Sequence, residues 1–248
     1  MTRYIVSILM FCSICLSAHA LTKAEADSAY VGGDYQKAAA LYDSLLAQGV
    51  SYELYYNLGN AYYRMDDITH AILSYERALR LAPGDADVRF NLQMARSKTI
   101  DKIVPESEMF FVTWYRSLVN MASADGWGYT ALVMLGLVIV LALMYLFGNR
   151  LWLRKLGFFG AIVAFFLFLL GNLLAWQQKN FAEVQKAAII IESAANVKST
   201  PANNGTDLFI LHEGTKVTIV DDTMREWKEV RVADGKQGWI ETKQMEVI

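Results

Sequence analysis

Cysteine is confined to two positions, Cys12 and Cys15, both within the first 20 of 248 residues. Removal of that leader would leave a cysteine-free chain, which excludes disulfides, thiolate metal sites and a cysteine nucleophile together. Three prolines exclude Pro-rich low-complexity sequence, and 16 glycines without a triplet period exclude a collagen-like chain. Charge is also scarce. Asp, Glu, Lys and Arg make up 19% of the residues, against about 25% in an ordinary soluble domain. Hydrophobic residues make up 54% and the mean hydropathy is +0.24, so membrane segments are expected. The 23 basic and 25 acidic residues give a net charge of -2. No basic field exists for a polyanion, which argues against nucleic acid as a partner.

The first 20 residues have the layout of a secretory signal peptide. Arg3 is a positive start, Tyr4 to Ser17 is uncharged and mostly apolar, and Ala18-His19-Ala20 is a small-x-small cleavage site. Leu21 is then the mature start. The alternative is an uncleaved signal anchor, which also leaves the following segment outside the cytoplasm. Residues before Cys15 lack the small side chains of a lipoprotein site.

Two further runs contain no charged residue, 126–149 and 156–178. Each exceeds the roughly 20 residues that a helix needs to cross a bilayer. Trp127, Trp152 and Trp176 sit at their ends, where indole rings favour the interface. The intervening 150–155 carries Arg150, Arg154 and Lys155 and no acid, so the positive-inside bias makes it a cytoplasmic loop. Both flanks then lie outside, in agreement with the signal peptide. Gly157/Ala161 and Gly160/Ala164 have the small-xxx-small spacing that lets helices approach closely.

Residues 21–98 contain a repeat. Tyr55-x2-Leu58-Gly59-x2-Tyr62, then Ala71, Tyr75, Ala78 and Pro83, have the spacing of the tetratricopeptide pattern. An earlier copy places Ala38 and Tyr42 33 residues before Ala71 and Tyr75, and a third begins at Asp85 and stops after one helix. Small residues at Gly59, Ala71 and Ala78 are expected at close helix contacts, with Tyr42, Tyr62 and Tyr75 between helices. The segment 99–125 reads as a linker and an amphipathic helix over 109–122, with Phe110, Phe111, Trp114, Leu118 and Met121 on one stripe. That stripe would either cover the last repeat helix or lie on the membrane surface; the number of aromatics favours the membrane.

Over 188–248 the period changes to short alternating strands separated by turns at 201–205, Glu213-Gly214, Asp221-Asp222 and Asp234-Gly235. The run Glu213-Gly214-Thr215-Lys216-Val217, Trp227-x2-Val230-Arg231-Val232 and Gly238-Trp239-Ile240 resembles a bacterial SH3 domain, a small all-β barrel. The expected fold class is thus a multidomain membrane protein: all-α tetratricopeptide hairpins, a two-helix transmembrane hairpin and an SH3-like barrel. No enzyme signature is present, and no metal or cofactor is expected. His212-Glu213 lacks the second histidine of a zinc-protease motif. Asp66-Asp67, Asp85 and Asp87 are placed to cap helices.

The order of these segments resembles BatE-type tetratricopeptide proteins of the Bacteroides aerotolerance group. The resemblance implies an inner-membrane location with both flanks in the periplasm, and partners bearing von Willebrand factor A domains. It also implies a role in aerotolerance or envelope stress. The repeat fold implies a concave groove, faced by Tyr30, Tyr56, Asn60, Tyr63, Arg64, Phe90 and Met94. The chaperone-type carboxylate clamp does not carry over. Lys23 and Asn57 fit it, but Asp27, Asp87 and Asn91 stand where Asn, Lys and Arg belong. A non-enzymatic adaptor is therefore expected. The alternatives are a cell-wall sensor binding peptidoglycan through the SH3-like segment and a regulator of a periplasmic hydrolase.

Overall fold

The computed structural model describes residues 22–107, 109–184 and 186–248, without the side chains at 181–184. The signal-peptide expectation for 1–20 lies outside the described residues. Five helices open the described chain: α1 (Lys23–Val31), α2 (Tyr35–Leu46), α3 (Tyr52–Arg64), α4 (Ile68–Leu81) and α5 (Ala86–Ser97). Acidic residues start three of them. Asp34 accepts from the Lys37 amide, Asp67 from that of His70, and Asp85 from those of Asp87 and Val88, satisfying donors that the helix itself leaves open. The turns into α2 and α4 use left-handed residues, Gly33 (φ 84°) and Asp66 (φ 62°), and Asp tolerates that conformation better than most non-glycine residues.

Small and aromatic residues interlock as the repeat spacing requires. Ala26, Ala38, Tyr42, Leu58 and Ala61 form one buried cluster. Ala71, Ile72, Tyr75, Ala78, Val88, Leu92 and Ala95 belong to a second. A Cβ at Gly59 would stand 2.6 Å from Cε1 of Tyr75, so the ring occupies the space that the missing side chain leaves.

The second cluster does not end with the helices. It also contains Ile189 and Ile248, from the far end of the chain. These belong to an antiparallel sheet of β1 (Ala187–Ile190), β2 (Ala194–Lys198), β3 (Asp207–His212), β4 (Lys216–Asp221), β5 (Trp227–Arg231), β6 (Gln237–Glu241) and β7 (Met245–Val247). The strand order is β3-β2-β6-β5-β4-β1-β7. Six strands fall where the short runs between turn residues place them. The seventh, only three residues after a 3-10 turn, is too short to show a period. One face encloses Ala188, Ile190, Val197, Val217, Val230 and Ile240, while Ile189, pointing the opposite way by strand alternation, joins Ile72 of α4.

Polar links fix this docking. Glu76 of α4, its side chain 5% exposed, is bonded by Lys216 Nζ at 2.7 Å and by Arg96. Arg77 Nη2 donates to Glu246 Oε1 at 2.8 Å, and Arg80 to the Ile248 carbonyl. Thr69 Oγ1 donates to Glu213 Oε2 at 3.2 Å. The segment expected to be a linker is itself pinned. Asp101 Oδ2 accepts from the His212 amide at 2.7 Å and from Thr215 Oγ1 at 2.8 Å. The Glu106 amide donates to the Ala233 carbonyl at 2.9 Å, and Ile103 packs on the sheet core.

Helix α6 (Phe110–Val119) is shorter than the expected 109–122. Its stripe turns away from the repeats, with Phe110 85% and Trp114 67% exposed. The last hairpin is covered by Ile189 and Ile248 instead. Helices α7 (Ala124–Phe147) and α8 (Leu151–Val184) are the two helices long and apolar enough to cross a membrane among the described residues. At 1.5 Å per residue, α7 is about 36 Å long and α8 about 51 Å, so α8 continues well past a bilayer toward the sheet. The connection 150–155 is shorter than expected. Leu151 to Lys155 are helical, because nothing in Leu-Trp-Leu-Arg-Lys interrupts the backbone ladder. A Cβ at Gly157 would meet the Leu141 carbonyl and Tyr145 amide at 2.7 Å, and one at Gly160 would meet Leu141 side-chain carbons. Small residues thus let the hairpin close.

Two outcomes follow from the docking. Ile189→Ala in the full chain should cost about 2–5 kcal/mol and lower a single melting transition shared by helices and sheet. A wild-type midpoint would contradict the joint core. Asp101 also predicts a pH dependence. Burial pushes its carboxyl up, but the amide, hydroxyl and imidazole around it outweigh burial and hold it below the usual carboxylate range. A lowered folded-state pKa contributes stability above the unfolded value, about 3.9, and loses it as pH falls through the folded value. Asp101→Asn should therefore lower the midpoint at pH 7 and have less effect near pH 2.5. An equal effect at both pH values would contradict the assignment.

Candidate protein-binding groove

The inner helices α1, α3 and α5 carry the seven residues expected to face a groove. Tyr30 is half-buried on α1, and its ring packs edge-on against Tyr35 at 5.3 Å. Asn60 is half-buried on α3. Tyr30 and Asn60 line a cavity of about 260 Å³ together with Lys23, Asp27, Tyr42 and Asn57. Tyr56 packs 6.1 Å from the ring of Tyr75. The Tyr63 ring lies under Lys98 Nζ at 4.6 Å. Arg64 turns aside toward α2, donating to the Tyr35 hydroxyl at 2.6 Å with its guanidinium 5.0 Å over that ring. Phe90 and Met94 stand on α5, 62% and 41% exposed. The seven residues therefore do not form one cluster. Tyr30 and Asn60 share a polar cavity, Arg64 is held at the α1–α2 side, and Phe90 and Met94 offer apolar surface on the other.

A hydrogen-bonded core organises this face. Asn60 Oδ1 accepts from the Tyr75 hydroxyl at 2.8 Å and from Asn91 Nδ2 at 2.9 Å, and Asn91 Nδ2 also reaches the Tyr56 hydroxyl at 3.1 Å. Asp27 accepts from the Tyr42 hydroxyl at 2.7 Å, Asn57 Nδ2 at 3.4 Å and Lys23 Nζ at 3.1 Å. Lys23 and Asp27 form this pair one helical turn apart, with both side chains nearly half exposed. Asn57 was expected to fit the clamp and Asn91 to depart from it; the structure uses Asn57 to bond Asp27 and Asn91 to bond Asn60 and Tyr56.

Burial raises the pKa of the phenols at Tyr30, Tyr42 and Tyr75, and the hydrogen bond to Asp27 raises that of Tyr42 further. Burial and the Asp43 carboxylate push Tyr62 up to about 12. The Tyr42, Tyr62 and Tyr75 hydroxyls therefore stay protonated at neutral pH and donate to Asp27, Asp43 and Asn60 within the protein. Among the described residues, no group of three or more His, Cys, Asp or Glu side chains is placed to hold a metal ion. The two described histidines are engaged structurally, His70 with Asp67 and His212 with Asp101.

The family model of the tetratricopeptide repeat matches residues 52–85. Those residues are a tetratricopeptide repeat. They comprise α3, α4 and the turn that leads into α5, and such repeats are protein-interaction modules, typically without catalytic activity. A search among curated proteins finds no match to the chain. The α1–α2 pair and α5 flank the repeat on either side, so its inner helix α3 sits at the centre of the face.

Asn60 generates a test of this architecture. Tyr75 is 1% exposed, and Asn60 is the acceptor for its hydroxyl. Asn60→Leu leaves that donor buried and unpaired, at a cost of about 1–3 kcal/mol. Adding Tyr75→Phe removes the orphaned donor and should restore most of the loss in a double-mutant cycle of melting midpoints. Additive losses would mean that the two side chains do not act as a pair.

Proposed function

We propose that the protein is a non-enzymatic membrane adaptor that holds partner proteins on the face of α1, α3 and α5. The observation that carries this reading is the tetratricopeptide repeat at 52–85, followed by a helix that leaves Phe90 and Met94 exposed. Aromatic and Arg anchors dominate interface energetics. The hairpin α7–α8 would tether the face, and the docking of the sheet on α4 supports both flanks lying on one side of the bilayer, as an even number of spans provides. The Arg150, Arg154 and Lys155 cluster supports placing that side outside the cytoplasm. On this reading the protein is a BatE-type component of an envelope assembly. Its C-terminal sheet is an SH3-like barrel, and its partners are membrane proteins with von Willebrand factor A domains.

A peptidoglycan sensor would need an accessible aromatic platform on the sheet. Trp227 is 9% exposed and Trp239 is half-buried, which favours a structural role for both and the helical face as the binding surface.

Photo-crosslinking from position 90 in intact membranes should yield a defined adduct with a membrane protein. Tyr56→Ala with Arg64→Ala should weaken capture at least about 30-fold, since each hot-spot truncation can cost about 2 kcal/mol, measured at a temperature where both chains are folded because Tyr56 also packs on Tyr75 and Arg64 on Tyr35. Undiminished capture by this double variant, combined with sedimentation of the protein by purified peptidoglycan, would replace the adaptor with the wall sensor. Capture of a hydrolase would instead identify a regulator.

A further inference from the structure

Between the last repeat hairpin, the polar face of α6, the end of α8 and the sheet lies a cavity of about 750 Å³. That is within the roughly 300–1,000 Å³ range of small-molecule sites. Among the described residues its walls carry five basic residues, Arg80, Arg89, Arg96, Arg116 and Lys216, and one acid, Glu76; Arg80 also bonds Ile248, and Arg116 is engaged within the protein. Glu76 is spent on Arg96 and Lys216. A guanidinium has five N–H donors, so the single bonds from Arg96 to Glu76 and from Arg89 Nε to the Asp85 carbonyl leave further donors on each. The cavity is therefore a concentrated positive field with low-dielectric walls, which favours an anion. The planar arginine fork suits phosphate in particular.

An independent observation comes from α8. Gln178 lines this cavity, is 6% exposed, and its Oε1 has no hydrogen-bond partner. It is the one such buried side-chain atom among the described residues. An orphaned acceptor beside a cationic wall calls for a ligand with both an anionic group and an O–H or N–H donor. The position of the cavity adds the source. Gln178 follows Trp176, which is 59% exposed at the end of a membrane-length apolar run, and α6 turns Phe110 and Trp114 outward from the opposite side of its polar wall. With α7 and α8 across a bilayer, the cavity would stand near the level of lipid headgroups.

We infer that this cavity is a site for the headgroup of an anionic phospholipid, with the phosphate held by the arginines and a headgroup hydroxyl donating to Gln178 Oε1. The inference rests on α7 and α8 spanning a membrane, and it is independent of what the repeat face binds. Occupancy would tie α6 and the last hairpin to the bilayer surface and fix the height and tilt of the groove above it.

The test uses the full chain in a nonionic detergent, delipidated and analysed by native mass spectrometry with three probes: phosphatidylglycerol, phosphatidylcholine and inorganic phosphate. Phosphatidylglycerol has the net charge and the hydroxyls, whereas phosphatidylcholine has neither a net charge nor a headgroup donor. Phosphatidylglycerol should bind at least about tenfold more tightly than phosphatidylcholine, as expected for charge-assisted hydrogen bonds. Arg89→Gln should remove much of that preference, and Gln178→Leu should reduce it separately, both with parental melting midpoints. Equal binding of the two lipids, or parental binding by both variants, would overturn the site. Saturable binding of phosphate without a preference for phosphatidylglycerol would overturn the lipid assignment in favour of a soluble phosphorylated ligand. Release of the protein from membranes by alkaline carbonate would overturn the membrane reading itself, a result distinguishable from failure of the site.

Discussion

The docking of the C-terminal sheet on α4 is the constraint on which the rest of the molecule depends. Two and a half helical hairpins bury their apolar faces only against neighbours, and the last of them has no further repeat to lean on. Ile189 and Ile248 supply the missing neighbour by entering the cluster around Ile72 and Tyr75. The same helix face carries Glu76, nearly buried and bonded to both Arg96 and Lys216. Removing one partner of a buried charge leaves an uncompensated ion and typically costs 3–5 kcal/mol, so the charged cluster gives the docking a single register. Around it, Arg77 reaches Glu246 and Asp101 reaches His212 and Thr215.

From this constraint the arrangement of the other parts follows. The repeats, the stretch after them and the sheet are joined although two helices long and apolar enough to cross a membrane separate them in sequence. Antiparallel packing of those helices brings the chain back to the end from which it left. The length of α8 makes that return possible, because its 34 residues outlast a bilayer and bring the chain back beside α6 and the last hairpin. The inner face of α3 is thereby held on a supported scaffold, and its polar core of Asn60, Tyr75 and Asn91 fixes the rings that a partner would meet.

Local patterns in the sequence carry much of this. The spacing of Leu58, Gly59, Ala71, Tyr75 and Ala78 specifies α3 and α4, uninterrupted apolar runs specify α7 and α8, and short apolar runs between turn residues specify six strands. The docking is less legible, because Ile72 reads equally well as repeat core and as interface, and nothing in Ile189-Ile190-Ile191 says which side chain faces inward. Asp101 and His212 are 111 residues apart, so no local pattern links them, and the segment around Asp101 reads as a plain linker. The amphipathic helix is legible as a helix but not in its orientation, since the aromatic stripe of α6 fits a repeat as well as a membrane. In the binding face, the aromatic residues follow from repeat position, whereas the organising asparagines require the pairing of Asn60 with Asn91 across two helices.

Hydrogen–deuterium exchange measures the central docking most directly. The full chain in detergent is compared with the same chain lacking 187–248, following the amides of Ile72 to Ala78. Strong protection in the full chain that collapses in α4 on removal of the sheet, with α1 and α2 less affected, is the result the account predicts. Equal protection of α4 in both chains would mean that the repeats complete their own core and would contradict it.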